Sequence, residues 1–201
     1  MTSIRPYRPE DHDDVYEVCV RTAANGGDAR GLYSDDDLMP DVYAGPYLQL
    51  EPELAFVVDT GHHVAGYVLG AADTAGFVQR YQGEWLPSFA ARYPRQAPTA
   101  EEQHVVDAGY TPSRMLIPEL DEYPAHLHID LLPELQGQGY GRRLIRVILA
   151  ALRERGVPAL NLGLSAENVA ARAFYDRIGF TPLPSSTPGG PVLGISTDAP
   201  V

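Results

Sequence analysis

Residues 131–143 read LLPELQGQGYGRR, with glycine at 137, 139 and 141 and arginine at 142 and 143. The helix that follows is amphipathic, and an interior helical glycine costs roughly 1 kcal/mol relative to alanine, so three of them at its start need a reason. Glycine permits positive φ and leaves no Cβ between the main chain and a ligand. The first four amides of a helix also lack internal partners. Together these features make a cluster of N–H donors at the positive end of a helix dipole, which favours an anion by roughly 0.3–1 kcal/mol per exposed contact. A phosphate-bearing ligand is the physical inference, and Arg142 and Arg143 add formal positive charge beside the same amides.

Other glycine-rich loops fit less well. A P-loop needs lysine and then serine or threonine after its last glycine, whereas Gly141 is followed by Arg142. A dinucleotide fingerprint needs its third glycine one position later and an acidic ribose ligand about 20 residues on, which Asn161 to Ser165 does not supply. A merely tight turn explains one glycine, not three at alternate positions.

Working outward, Ile4 to Tyr7 reads as a strand, and Pro9-Glu10-Asp11 opens a helix carrying Val15, Val18, Cys19 and Thr22 at spacings of three and four. Residues 25–40 read as a loop, and a short helix is expected over Asp41 to Leu50. Ala55 to Asp59 and Val64 to Ala72 form a predicted hairpin, followed by a helix interrupted at Gly83 and Pro87. Residues 94–125 carry five prolines and one potential helix, TAEEQHVVDAG; they read as an insertion over a site or an interface. His126 to Leu132 is a strand, Arg142 to Arg155 a helix, Ala159 to Leu164 a strand and Asn168 to Ile178 a helix closed by Gly179. An irregular hairpin over Phe180 to Ile195 completes a mixed α/β (α+β) pattern, with helices covering a central sheet.

The chain has 201 residues, of which 44% are hydrophobic, enough for a full core and one compact unit over residues 1–201. A net charge of −12 argues against a sequence-independent nucleic-acid binder, which needs cations to neutralise phosphates. The opening MTSIRPYRPEDHDD lacks the apolar stretch of a signal peptide, and no run approaches a membrane span, so a cytoplasmic protein without a membrane segment is expected. The single cysteine, Cys19, excludes an internal disulfide and any multi-cysteine zinc site.

The run Leu131-Leu132-Pro133 followed by Gln136-Gly137-Gln138-Gly139-Tyr140-Gly141 closely resembles the pyrophosphate loop of GNAT-type N-acetyltransferases. SAENVAARAFYDRIGF at 165–180 is similar to that family's second motif, and the two stand in the right order and separation. IRPYRPEDHDDVYEVC and HVAGYVLGAAD also fit, so the resemblance covers nearly the whole chain. Gly66-Tyr67-Val68-Leu69-Gly70, Asp73, Trp85-Leu86-Pro87 and Tyr123-Pro124-Ala125 resemble more narrowly the acetyltransferase-like C-terminal domain of O-GlcNAcase and its free-standing bacterial relatives. The resemblance implies a GNAT fold with a mixed sheet of about six to seven strands and a splayed cofactor cleft. It further implies acetyl-CoA as co-substrate, an amine acceptor (small molecule, N-terminus or lysine) attacking the thioester directly, and, at family level only, a homodimer.

Carried over by position, Leu131, Leu132, Gln136 to Arg143, Asn168 and Tyr175 would contact the cofactor. Asn168 and Tyr175 share one face of their helix two turns apart, so the resemblance implies that Asn168 meets the pantetheine amides while Tyr175 protonates the departing thiolate. An amine with a reference pKa of about 10.4 sits roughly 4 to 5 kcal/mol from its neutral form at pH 7 without help, so a proton acceptor is wanted. His126, His128 and Asp130 alternate along one strand and project from one face. Asp130 and Asp73 match aspartates of the O-GlcNAcase-type domain and are the acceptor-site carboxylates that this likeness implies; if their strands pair, the two could lie close. Asp73 before Thr74 also reads as a helix N-cap. No metal is expected, because zinc takes four ligands and only the row of His126, His128 and Asp130 offers itself. Tyr33, Tyr43, Tyr47 and Trp85 are candidates for the acceptor wall. A second function fits the same features: a non-catalytic acyl-CoA-binding or protein-interaction module.

Overall fold

The computed structural model describes residues 1–201. Strand β1 (Ser3–Pro6) leads through a proline-started 3-10 turn into helix α1 (His12–Val20). The helix expected over Asp41 to Leu50 is two, α2 (Leu38–Tyr43) and α3 (Gly45–Leu50). Pro46 in the first turn of α3 accounts for the break, since it has no N–H to donate and its ring clashes with the carbonyl four residues back. The hairpin β2 (Ala55–Asp59) and β3 (Val64–Ala71) follows, then α4 (Thr74–Arg80), a π turn over Tyr81–Trp85, and α5 (Leu86–Arg92), the interruption falling around Gly83 and Pro87.

Residues 94–125 contain helix α6 (Ala100–Tyr110), capped by the Thr99 hydroxyl, and a 3-10 turn over Pro112–Met115. Strand β4 (Ala125–Leu131), helix α7 (Tyr140–Glu154), strand β5 (Ala159–Gly163), helix α8 (Val169–Ile178) and strands β6 (Thr181–Pro182) and β7 (Val192–Ser196) complete the chain.

The seven strands form one sheet in the order β1-β2-β3-β4-β5-β7-β6, antiparallel except for the parallel pair β4 and β5. That pair is joined only at Ala125 to Leu160 and His126 to Asn161. Buried Asn161 fastens the junction, its amide nitrogen donating to the carbonyls of Tyr123 and Ala125 at 2.9 Å each. Beyond it the two strands part, and the β4 edge that faces β5 loses its ladder partner. Unpaired strand amides and carbonyls of this kind must be satisfied by water or by a ligand.

One buried cluster runs from Val15 to Ile195 and takes in both faces of the sheet. Ile148 of α7 lies so close to β3 that a Cβ on Gly70 would stand 2.9 Å from it, which fixes α7 on the face opposite to His126, His128 and Asp130. A second, smaller cluster joins Leu38 and Val42 of α2 to Phe89, Tyr93, Val105 and Val106 of α5 and α6. Polar ties reinforce it. Buried Glu102 of α6 accepts from the Ser34 amide at 2.8 Å and hydroxyl at 2.7 Å. Asp41 accepts from Tyr16 at 2.6 Å, Tyr93 at 2.9 Å and Arg92 at 3.1 Å.

Candidate active site

The glycine loop lies at the mouth of the gap between β4 and β5. Gly137 (φ +73°) and Gly139 (φ +83°) take the left-handed conformation, which costs a side-chain-bearing residue roughly 1–2 kcal/mol. Gly141 is needed for a different reason: a Cβ there would stand 3.1 Å from the Phe174 ring on α8. Gln136 Nε2 donates to the Leu131 carbonyl at 3.0 Å, folding the loop back on the strand. None of the amides from Gly137 to Arg142 has a partner in the protein. These N–H groups, with Arg142 and Arg143 beside them, suit a diphosphate. Leu131 is half-buried beside the loop, whereas Leu132 turns into the core and its amide donates to the Ala65 carbonyl.

Directly opposite residues on antiparallel strands put their side chains on one face, so Tyr67 stands beside Asp130, Leu69 beside His128 and Ala71 beside His126. The Tyr67 hydroxyl donates to Asp130 Oδ2 at 2.6 Å. Packed by protein but still reached from the cleft, Asp130 is pushed up to about 6 by desolvation, against the opposing Tyr67 bond. Tyr175 of α8 is buried against Phe174 and Phe180, and its hydroxyl has no hydrogen-bond partner in the protein. Burial first, and then the nearby Asp130 charge, raise that hydroxyl's pKa above the ordinary tyrosine value. Asp130 is thus a carboxyl able to take a proton near neutral pH, and Tyr175 a phenol that keeps its own.

His126 is fully occupied. Thr74 Oγ1 gives its only proton to the Pro124 carbonyl at 2.7 Å, so its 2.8 Å contact with His126 must be donated by Nδ1–H. Nε2 then accepts from the Tyr47 hydroxyl at 2.7 Å. Burial lowers this imidazole to about 3, which matches a neutral, structural ring. His128 makes no hydrogen bond; it meets the edges of the Tyr43 and Tyr47 rings at 5.6 and 5.1 Å, and burial, then Arg114, lower it to about 4. No group of three or more metal-ligating side chains is assembled in the fold.

Asp73 does not join Asp130. It follows Ala71, which pairs with His126, whereas Asp130 pairs with Tyr67. Six residues of strand separate the two positions, about 20 Å at 3.3 Å per residue. Asp73 is exposed and caps α4, its carboxylate accepting from the Gly76 amide at 3.1 Å. Asn168 is likewise a cap, accepting from the Ala171 amide at 3.0 Å, which leaves its amide nitrogen free. Of the aromatic residues expected at the acceptor wall, Tyr43 and Tyr47 reach the histidines, Trp85 donates to the Asp41 carbonyl at 2.9 Å, and Tyr33 packs on the second cluster. A separate cavity of about 410 Å³ lies between the start of α8 and the last hairpin, bordered by Leu164, Arg172, Leu183 and Pro191; it includes none of the residues around Asp130.

Comparison with known proteins decides which family this cleft belongs to. The model of the acetyltransferase (GNAT) family matches residues 27–180, more than half of the chain. The chain is a member of the GNAT acetyltransferase family. Within that family, the crystal structure of SsHAT superposes with a TM-score of 0.91 at 50% identity, over 98% of each chain. The PaiA N-acetyltransferase from Thermoplasma acidophilum, solved in complex with coenzyme A, shares the GNAT fold at a TM-score of 0.60 and 14% identity, over 98% of this chain and 99% of that one. The Protein O-GlcNAcase of Rattus norvegicus is 23% identical over 181 residues, which are 88% of this chain and 20% of that protein. The GNAT chain therefore spans about a fifth of the length of that curated relative. No helix is long and apolar enough to cross a membrane.

Sequence reasoning did not find Tyr67 as the partner of Asp130, although its alternation with Leu69 and Ala71 places all three on one face. Arg114 was also missed, because its segment carries no periodic pattern.

Proposed function

We propose that residues 1–201 act as one acetyl-CoA-dependent N-acetyltransferase, with residues 94–125 contributing the acceptor-side wall. The observation that carries this reading is that the free amides of Gly137 to Arg142 follow the end of β4, the strand that carries Asp130, where it has parted from β5, and that the Asp130 charge acts on Tyr175. Acetyl-CoA would supply an activated acyl carbon and a thiol leaving group; the amides, Arg142 and Arg143 hold its diphosphate, and Asn168 offers its free amide nitrogen to the pantetheine arm.

In this reading Asp130 accepts a proton from the acceptor's ammonium group, freeing the nitrogen lone pair. A carboxylate of pKa about 6 is ionised at neutral pH yet more basic than an exposed aspartate. The amine nitrogen forms its bond to the acetyl carbonyl carbon as the carbon–sulfur bond breaks, and the nitrogen then gives its second proton to water, as Asp130 does with the first, leaving a neutral amide and one net proton in solvent. Tyr175, kept protonated by its raised pKa, gives its proton to the departing sulfur and is reprotonated from solvent. Tyr67 holds the Asp130 carboxylate through the 2.6 Å bond. Asp73 keeps a capping role at the start of α4.

The test is thiol release from acetyl-CoA over a broad amine panel. Acceptor-dependent turnover is expected; cofactor binding with no acceptor ever accelerating release would instead favour a passive acyl-CoA-binding module.

A further inference from the structure

We infer that the acceptor carries, several bonds from its amine, an anionic group that Arg114 binds against the face of Tyr43. This deepens the acetyltransferase reading and rests on it. The chain has no lysine; its 15 basic residues are all arginine, set against 27 acidic ones. Arg5, Arg21, Arg30, Arg80, Arg92, Arg155 and Arg172 each pair with a carboxylate. Arg114 is one of the eight arginines that form no ion pair, and its guanidinium makes no hydrogen bond.

Its position is nevertheless built. The Pro112–Met115 turn is anchored by Met115, whose sulfur lies 3.6 Å from the buried Tyr47 hydroxyl. The guanidinium sits 5.4 Å over the Tyr43 ring, and that ring in turn meets His128 edge-on at 5.6 Å. After burial, its positive charge is a further cause that lowers the pKa of His126, His128, Tyr47 and Tyr81, groups on three different elements. Those neighbours are neutral at pH 7, so none of them neutralises the guanidinium. Two residues past His128 on the same face stands Asp130.

The cleft is therefore polarised. A carboxylate stands at one end, where the amine must be, and an open guanidinium fork at the other, across one imidazole and one phenol ring. Arginine's planar donors suit a carboxylate or a phosphate monoester. Asp130 and His128 are two strand positions apart, about 7 Å, and the Tyr43 ring and the guanidinium follow at 5.6 and 5.4 Å; a path of that length exceeds the reach of an α-amino acid and suits an ω-amino acid or a short peptide with an internal or terminal anion.

The test compares kcat/KM for ω-amino carboxylates, from glycine to 8-aminooctanoate, each against its own carboxamide; aminoalkyl phosphates form a parallel arm that separates phosphate from carboxylate recognition. A preference of roughly 10-fold or more for the anionic member is expected at the longer chain lengths. That preference should shrink with added salt. Arg114→Ala should collapse the ratio toward one, and Arg114→Glu should turn it toward the matching diamine. Acetyl-CoA titration of each variant reports that the fold persists. Equal rates for carboxylate and carboxamide, or a preference that survives Arg114→Ala, would overturn the inference while leaving the acetyltransferase reading standing. If no amine of any kind were acetylated, that reading would fall first and take this inference with it.

Discussion

The Tyr67 hydroxyl donates a 2.6 Å hydrogen bond to Asp130 across the β3–β4 ladder, and this bond opposes the burial that raises the carboxyl to about 6. The pair couples a strand in the middle of the sheet to the floor of the cleft. Tyr67 is itself fully buried, and its pKa is raised well above the ordinary tyrosine value by burial first and by Asp130 second, so it remains a donor at any working pH.

The pH profile of acetyl transfer should therefore fall on the acid side as pH drops through about 6, where Asp130 takes up its proton and can no longer accept one. Tyr67→Phe removes an interaction that favours the carboxylate, so the acid limb should move to higher pH. A limb that stays fixed in Tyr67→Phe while the rate falls would mean that the tyrosine acts through packing alone. Asp130→Asn should lower kcat by roughly 10²–10⁴, the usual worth of a positioned base, with cofactor affinity retained.

Tyr175→Phe keeps the ring that packs on Phe174 and Phe180 and deletes only the hydroxyl. A fall in transfer rate of roughly 10²-fold or more is expected, with coenzyme A affinity unchanged. Full activity in this variant would assign thiolate protonation to solvent.

Much of this cleft was legible in residue order. Glycines at alternate positions before an amphipathic helix predict a loop with open amides, and the loop has them, with positive φ at 137 and 139; Asp130 and His128 share a face by simple alternation. Register is a different matter. Whether Asp73 approaches Asp130 depends on which residue of β3 faces which residue of β4, and the antiparallel pairing of Tyr67 with Asp130 sends Asp73 to the far end. Within residues 94–125 the helix α6 was legible in TAEEQHVVDAG, but its place was not: it is set by contacts with Leu38, Val42 and Phe89 that are distant in sequence, and Arg114 lies on a turn whose Met115 meets Tyr47.

Arg114→Ala offers a readout independent of turnover. Removing its positive charge should raise the His128 pKa from about 4, measured by the pH dependence of the imidazole NMR signals. Burial is the larger cause of the depression, so the value should stay below the ordinary 6.5. An unmoved His128 titration would remove the guanidinium from its place over Tyr43.

Gly139→Ala forces a side chain into a left-handed position with φ +83°. Thermal stability should drop by about 1–2 kcal/mol, and coenzyme A affinity should fall with the altered loop. Gly141→Ala acts through contact with Phe174 instead, so its effect should be eased by Phe174→Leu.

The most direct test is an amide NMR titration of the folded protein with coenzyme A. Main-chain donors binding a diphosphate predict that the largest shift changes fall on the N–H signals of Gly137 to Arg142. Perturbations centred elsewhere on the sheet, or none at saturating ligand, would contradict the account at its root.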